Sequence, residues 1–119
     1  MATTTVYLPP RNSDWRVSLV DPDSLGLQTS NGQNWGTTQY VTKDIYINNE
    51  LHENDIDGVL IHELTHALLS ETQIKDAHKY SEEDVCELMG MYARIIVDLA
   101  DKARAGIGFP PFKMGGQNV

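Results

Sequence analysis

The sequence predicts an α+β domain: a small, mostly antiparallel sheet packed on one central helix and a long second helix. Two observations predict it. The first half holds short runs rich in β-branched and aromatic residues, separated by Gly, Pro, Asn and Ser. The second half switches to apolar residues recurring every three or four positions, the period of a helix. At 119 residues the chain is long enough for one core and too short for two. Residues 1–119 are therefore expected to form a single domain. A flexible tail is expected from about residue 106, because "IGFPPFKMGGQNV" carries two prolines and three glycines.

The elements follow in order. "DWRVSLV" (14–20) reads as a strand with Val17, Leu19 and Val20, ended by a turn at Pro22 and Gly26. Asn31-Gly32, inside "QTSNGQNWGTT", is a hairpin-type turn signal. "QYVTKDIYINNEL" (39–51) is the densest strand pattern, with Val41, Ile45 and Ile47 on one face. Its other face shows Tyr40, Thr42, Asp44 and Tyr46, which predicts a half-exposed antiparallel sheet. The run 40–47 is a candidate edge strand for pairing with an extended peptide.

A helix should start with Asn54 or Asp55 as N-cap and run to about Ser70. Ile56, Val59, Leu60, Leu64, Ala67 and Leu68 form its apolar stripe. Glu53, Asp55 and Asp57 lie where the helix dipole favours negative charge. After a polar loop, "ETQIKDAHKY", Ser81 with Asp84 three residues on marks the cap of a second helix. That helix should reach about Ala105 and stop at Gly106.

Composition excludes several functions. Seventeen acidic residues against nine Lys and Arg give a net charge of −8, with no basic cluster to neutralise phosphates. Neither a nucleic-acid nor an anionic-membrane partner is expected. One cysteine, Cys86, allows no intrachain disulfide and no Cys-rich zinc site, and it is expected to serve in packing. "MATTTVYLPP" lacks the basic and apolar regions of a signal peptide. No run approaches the ~20 apolar residues of a membrane span, so a cytoplasmic protein is expected.

The chemistry lies in "GVLIHELTHALLSE" (58–71), where His62, Glu63 and His66 interrupt an apolar run. Residues four apart share a helix face, so His62 and His66 can converge on one ion, at the usual zinc–nitrogen distance of ~2.0–2.1 Å. Glu63 points about a quarter-turn away. From there it can reach water activated by the metal and act as general base in attack on a carbonyl. This is the mechanical content of H-E-x-x-H. One zinc per chain and a peptide or protein substrate are the expected partners. A catalytic zinc takes a third protein ligand, and the residues offer His78, Glu82, Glu83 and Glu87. A structural or regulatory zinc protein without peptidase activity is the competing reading. It would close the fourth coordination position that an enzyme leaves open. His52 reads as a surface residue, and Trp15 and Trp35 as core or cleft-wall aromatics.

With these residues in place the chain resembles the gluzincin metallopeptidases, the thermolysin-like clan of zincins. In that clan a glutamate on a second helix completes the metal site, and an acid four residues later braces a histidine. "EDVCELMG" (83–90) is similar to that second-helix pattern. The resemblance implies Glu83 as ligand and Glu87 as the bracing acid, with Val85, Leu88, Met89 and Tyr92 facing the core. Glu82 in place of Glu83 stays open, and His78 as third ligand would define a different clan. The order of "WG", "DIYIN" and the H-E-x-x-H helix also resembles very small zinc peptidases, often phage-encoded. Together the resemblance spans roughly residues 35–100. A Tyr or His normally supplied by a later subdomain to stabilise the oxyanion would have to come from Tyr46, His78 or Tyr80.

Overall fold

The computed structural model describes residues 2–29, 32–33, 35–72 and 81–109. Strands β1 (Thr3–Leu8), β2 (Ser13–Val20), β3 (Gln28–Thr29), β4 (Gly32–Gln33), β5 (Gly36–Gln39) and β6 (Asp44–Asn48) precede helices α1 (Glu53–Glu71) and α2 (Glu82–Gly106). Four strands form one sheet in the order β1-β2-β6-β5, and β3 pairs with β4 in a separate two-stranded ribbon. The β1–β2 and β6–β5 pairs are antiparallel, whereas β2 and β6 run parallel. The α+β expectation of a mostly antiparallel sheet under two helices holds.

Alternation explains which face is buried. Val6 lies opposite Trp15, and Val17 opposite Ile45; all four are buried, together with Ile47. The helices cover this face: α1 lies on β5 and β6, α2 on β1, and the two helices touch each other. The buried stripe of α1 (Ile56, Val59, Leu60, Leu64, Ala67, Leu68) is the one the sequence pattern marks. That of α2 is concentrated toward its C-terminal half, at Ile96, Leu99, Ala100 and Ala103. Gly106 closes the contact with β1, because a Cβ there would collide with Thr4.

Several expectations are corrected. The long run 39–51 is not one strand: Tyr40–Lys43 form a turn, with Lys43 at φ 58°, between β5 and β6. Val41 is therefore 97% exposed and shares no face with Ile45 and Ile47. The sheet edge on this side is β5, because β6 is bonded on both sides. The Thr-rich start of the chain forms the other edge strand, β1. The N-cap of α1 is His52, whose Nδ1 accepts the Asn54 backbone N–H at 3.1 Å, and neither Asn54 nor Asp55 caps. The helix ends at Glu71, one residue past the expected Ser70.

The cap of α2 is as expected. Ser81 and Asp84 exchange side-chain-to-backbone hydrogen bonds of 3.0 Å each way. Gly32, half of the expected Asn31-Gly32 turn, instead begins β4 and pairs antiparallel with Thr29 of β3, while Asn31 lies outside the described residues. So do His78, Tyr80 and the tail from residue 110. Among the described residues no helix is long and apolar enough to cross a membrane.

Candidate functional site

On α1, His62 and His66 lie on the exposed side, their ring centroids 4.9 Å apart and their planes edge to face at 71°. Glu63 turns the other way and is 7% exposed. A carboxylate at that depth needs partners, and β5 supplies one. Thr38 Oγ1 donates to Glu63 Oε1 at 2.7 Å and lies 3.2 Å from the Glu63 carbonyl oxygen. The second carboxylate oxygen, Oε2, lies 3.9 Å from His62 Nε2. One oxygen is thus anchored to the sheet and the other faces His62.

The approach of β5 to α1 depends on Gly36. A Cβ at this position would come within 2.9 Å of Val59 Cγ1 and 3.0 Å of Glu63 Cγ. Gly36 and Thr38, two apart on a strand, share the helix-facing side. Thr37, on the outer face, donates to the Gly26 carbonyl at 2.5 Å. The Tyr46 ring sits on that outer face, where a Cβ on Gly26 would strike it. Tyr46 therefore points away from α1 and is not positioned to stabilise an oxyanion there.

A cleft of about 480 Å³ opens between β5 and α1. Trp35 and Gly36 form one wall, Asn54 and Asp55 the other, Gly58 and Val59 the floor, and it ends at His62 and Glu63. Trp35 is 62% exposed, a cleft-wall aromatic, whereas Trp15 is fully buried in the core.

His62, Glu63 and His66 are thus brought together. Glu83 stands exposed in the first turn of α2, next to the exposed Glu82. Among the described residues no group of three or more His, Cys, Asp or Glu is gathered to hold a metal ion. The two histidines fit a zinc site as far as two nitrogen donors on one solvent-facing helix surface go. Glu87 lines a separate cavity of about 260 Å³ with Thr72, Asp84 and Tyr92. On the same helix Leu88 is buried and Tyr92 half-buried, as expected. Val85 and Met89, expected to face the core, are 51% and 47% exposed, because burial on α2 lies mostly further along. Cys86 is exposed rather than packed.

The sequence reading missed Glu71, which is 4% exposed. Its carboxylate accepts from Ser13 Oγ at 2.8 Å, Trp15 Nε1 at 2.9 Å and Arg11 Nη2 at 3.2 Å. Lys43 Nζ adds an ion pair at 3.4 Å. Burial pushes the Glu71 carboxyl up, but the bonds from Trp15, Ser13, Arg11 and Lys43 together outweigh it and hold the carboxyl below the ordinary 4.5. At the other end of α1, Asp57 is pushed up by burial, and Arg104, 3.4 Å away, offsets only part of the rise. Extending the stripe by one turn, from Ala67 to Glu71, would have found the first of these.

A buried glutamate thus lies between two exposed histidines on one helix of a small α+β domain. The profile of the Peptidase M78 family, described as the IrrE N-terminal-like domain, matches residues 18–89. The chain belongs to this family. Searches of curated proteins and of solved structures return no match.

Proposed function

We propose that the chain is a zinc-dependent peptidase of minimal, gluzincin-like design, related to the small phage-type enzymes. The observation that carries this reading is the state of Glu63. It is buried, fixed at one oxygen by Thr38, and presents the other toward His62 at the end of an open cleft. A carboxylate in that setting is a base with one defined orientation.

His62 and His66 would hold the metal, with Glu83 as the third ligand. When bound, zinc would supply Lewis acidity toward a peptide carbonyl and toward water. Glu63 would take the proton from the attacking water through its free oxygen and return it to the leaving amine. Thr38 would keep Glu63 from rotating away. Among the described residues β5 is the sheet's edge strand, and its Gly36 lines the cleft, where an extended peptide could add as a further strand.

The test compares wild type with Glu63→Gln on a peptide library, with metal content measured alongside. Wild type should hold one zinc per chain, and His62→Ala or His66→Ala should lose it. Glu63→Gln should keep the zinc and lose hydrolysis by the ~10²–10⁴-fold that a positioned base supplies. A folded, zinc-loaded wild type that cleaves no peptide would instead support a structural or regulatory zinc protein.

A further inference from the structure

The cleft is asymmetric in charge and in texture, and that asymmetry selects a ligand. The charged groups on its lining are acidic: Asp55, exposed on α1, and Glu63 at the end. Among the described residues, no Lys or Arg lines it. The Trp35 indole, 62% exposed, stands across from them. The floor is Gly58 and Val59. A Cβ at Gly58 would meet nothing within 4 Å, so any side chain there would stand in the cleft itself. Asp55, Gly58 or Val59, and His62 follow one another at helical spacing. The floor therefore runs along α1 toward His62.

The geometry points to a subsite for a basic side chain, Arg or Lys, on an extended peptide. It rests on the proposal that this cleft is the substrate's path. The methylene stem lies over Gly58 and Val59, as long cationic side chains do on apolar surface. The guanidinium or ammonium group reaches Asp55 and packs on the face of Trp35, a cation–π contact. An acidic side chain would meet the exposed Asp55 with like charge. An uncharged apolar one gains the floor and the indole but nothing from Asp55. The chain's net charge of −8 adds a long-range pull of the same sign.

The test reads binding, not turnover, and so separates this inference from peptidase activity. Short Ala/Gly peptides carrying one central Arg, Leu or Glu are titrated into the full chain while tryptophan emission is followed. Trp15 is buried and silent to ligand, so the response reports Trp35, and a Trp35→Phe control should abolish it. The Arg peptide should shift the emission and bind at least tenfold more tightly than the Glu peptide, with a gap that narrows in high salt. Asp55→Asn should erase most of that gap. Gly58→Leu should block all three peptides while leaving the melting temperature at or above that of wild type, since Leu is the better helix former.

Equal affinities for the Arg and Glu peptides, or no response of Trp35 to any of them, would overturn the subsite. Hydrolysis without an Arg or Lys preference would overturn it too, yet leave the peptidase reading standing. Preferential Arg binding without hydrolysis would do the reverse.

Discussion

Replacing Glu71 with alanine should loosen α1 from the sheet, and the structure sets the size of the effect. The Trp15 Nε1–H loses its acceptor inside a fully buried residue. A buried donor left alone costs ~1–3 kcal/mol. The half-buried Ser13 hydroxyl loses a bond worth about 1 kcal/mol. The Arg11 and Lys43 side chains are 61% and 41% exposed, so water replaces much of what they lose. Their two pairs together add no more than about 1 kcal/mol. The sum is about 3 kcal/mol. For a 119-residue chain, unfolding entropy converts each kcal/mol into about 4 °C, so Tm should fall by about 12 °C. Glu71→Gln keeps an acceptor for Trp15 and should cost about half as much. The Glu71 carboxyl is held below 4.5 in the folded chain. Its stabilisation is therefore complete above that value and is lost as pH falls through the folded one. The gap between wild type and Glu71→Gln should be flat near neutrality and shrink in acid. Thermal melts followed by circular dichroism at several pH values measure both effects. An alanine variant melting within about 2 °C of wild type at neutral pH, or a gap that widens in acid, would refute the reasoning.

Two further perturbations follow from the same contacts. Thr38→Val removes the hydroxyl on Glu63 while keeping the side chain's shape. If Glu63 is the base, kcat should fall by roughly 10–100-fold, the equivalent of a ~1.5–3 kcal/mol bond to a charged group, with KM little changed. Thr38→Ser should recover most of the loss, and steady-state kinetics on one cleaved peptide separates these outcomes. His52→Ala removes the side-chain acceptor at the start of α1 and should lower stability by about 1 kcal/mol. Chemical denaturation would show that as a shifted midpoint with an unchanged slope.

The parts of the fold that could be read from the sequence are those with a long period. Helix α2 repeats its pattern over enough turns to mark both ends, and Ser81 with Asp84 names the cap. Helix α1 is legible for the same reason, and so is the trio His62, Glu63 and His66 within it. Strands β1 and β5 were missed because they are short and Thr-rich at the sheet's edges, where little contrast separates the inward from the outward face. The Tyr40–Lys43 turn was hidden because Tyr, Val and Thr favour strands, and only the left-handed Lys43 reveals the reversal. Thr38 could not be found as the partner of Glu63, since the two meet only when β5 packs on α1, 25 residues on. His52, read as a surface residue, is on the surface, but its ring nitrogen serves the helix.

The contacts of α1 show how a small domain can hold an acidic helix in register. Acids recur along it at Asp57, Glu63 and Glu71, and each is tied to a different part of the fold. Arg104 of α2 reaches Asp57 and Glu53 at the start, Thr38 of β5 holds the middle, and Arg11 and Lys43 meet Glu71 at the end. The last case runs against the helix dipole, which disfavours a carboxylate at the C-terminus. The final turn of α1 contains no basic residue of its own. Arg11 and Lys43, from the β1–β2 and β5–β6 turns, bring in the positive charge that the helix lacks. Three of the chain's nine Lys and Arg are thereby directed at one helix. A helix fixed at its start, middle and end cannot easily slide or rotate, so His62 and His66 face outward at a fixed height beside the cleft. That rigidity is what two histidines need in order to present their nitrogens together, and it is why Glu71, which touches neither histidine, belongs to the physics of the site.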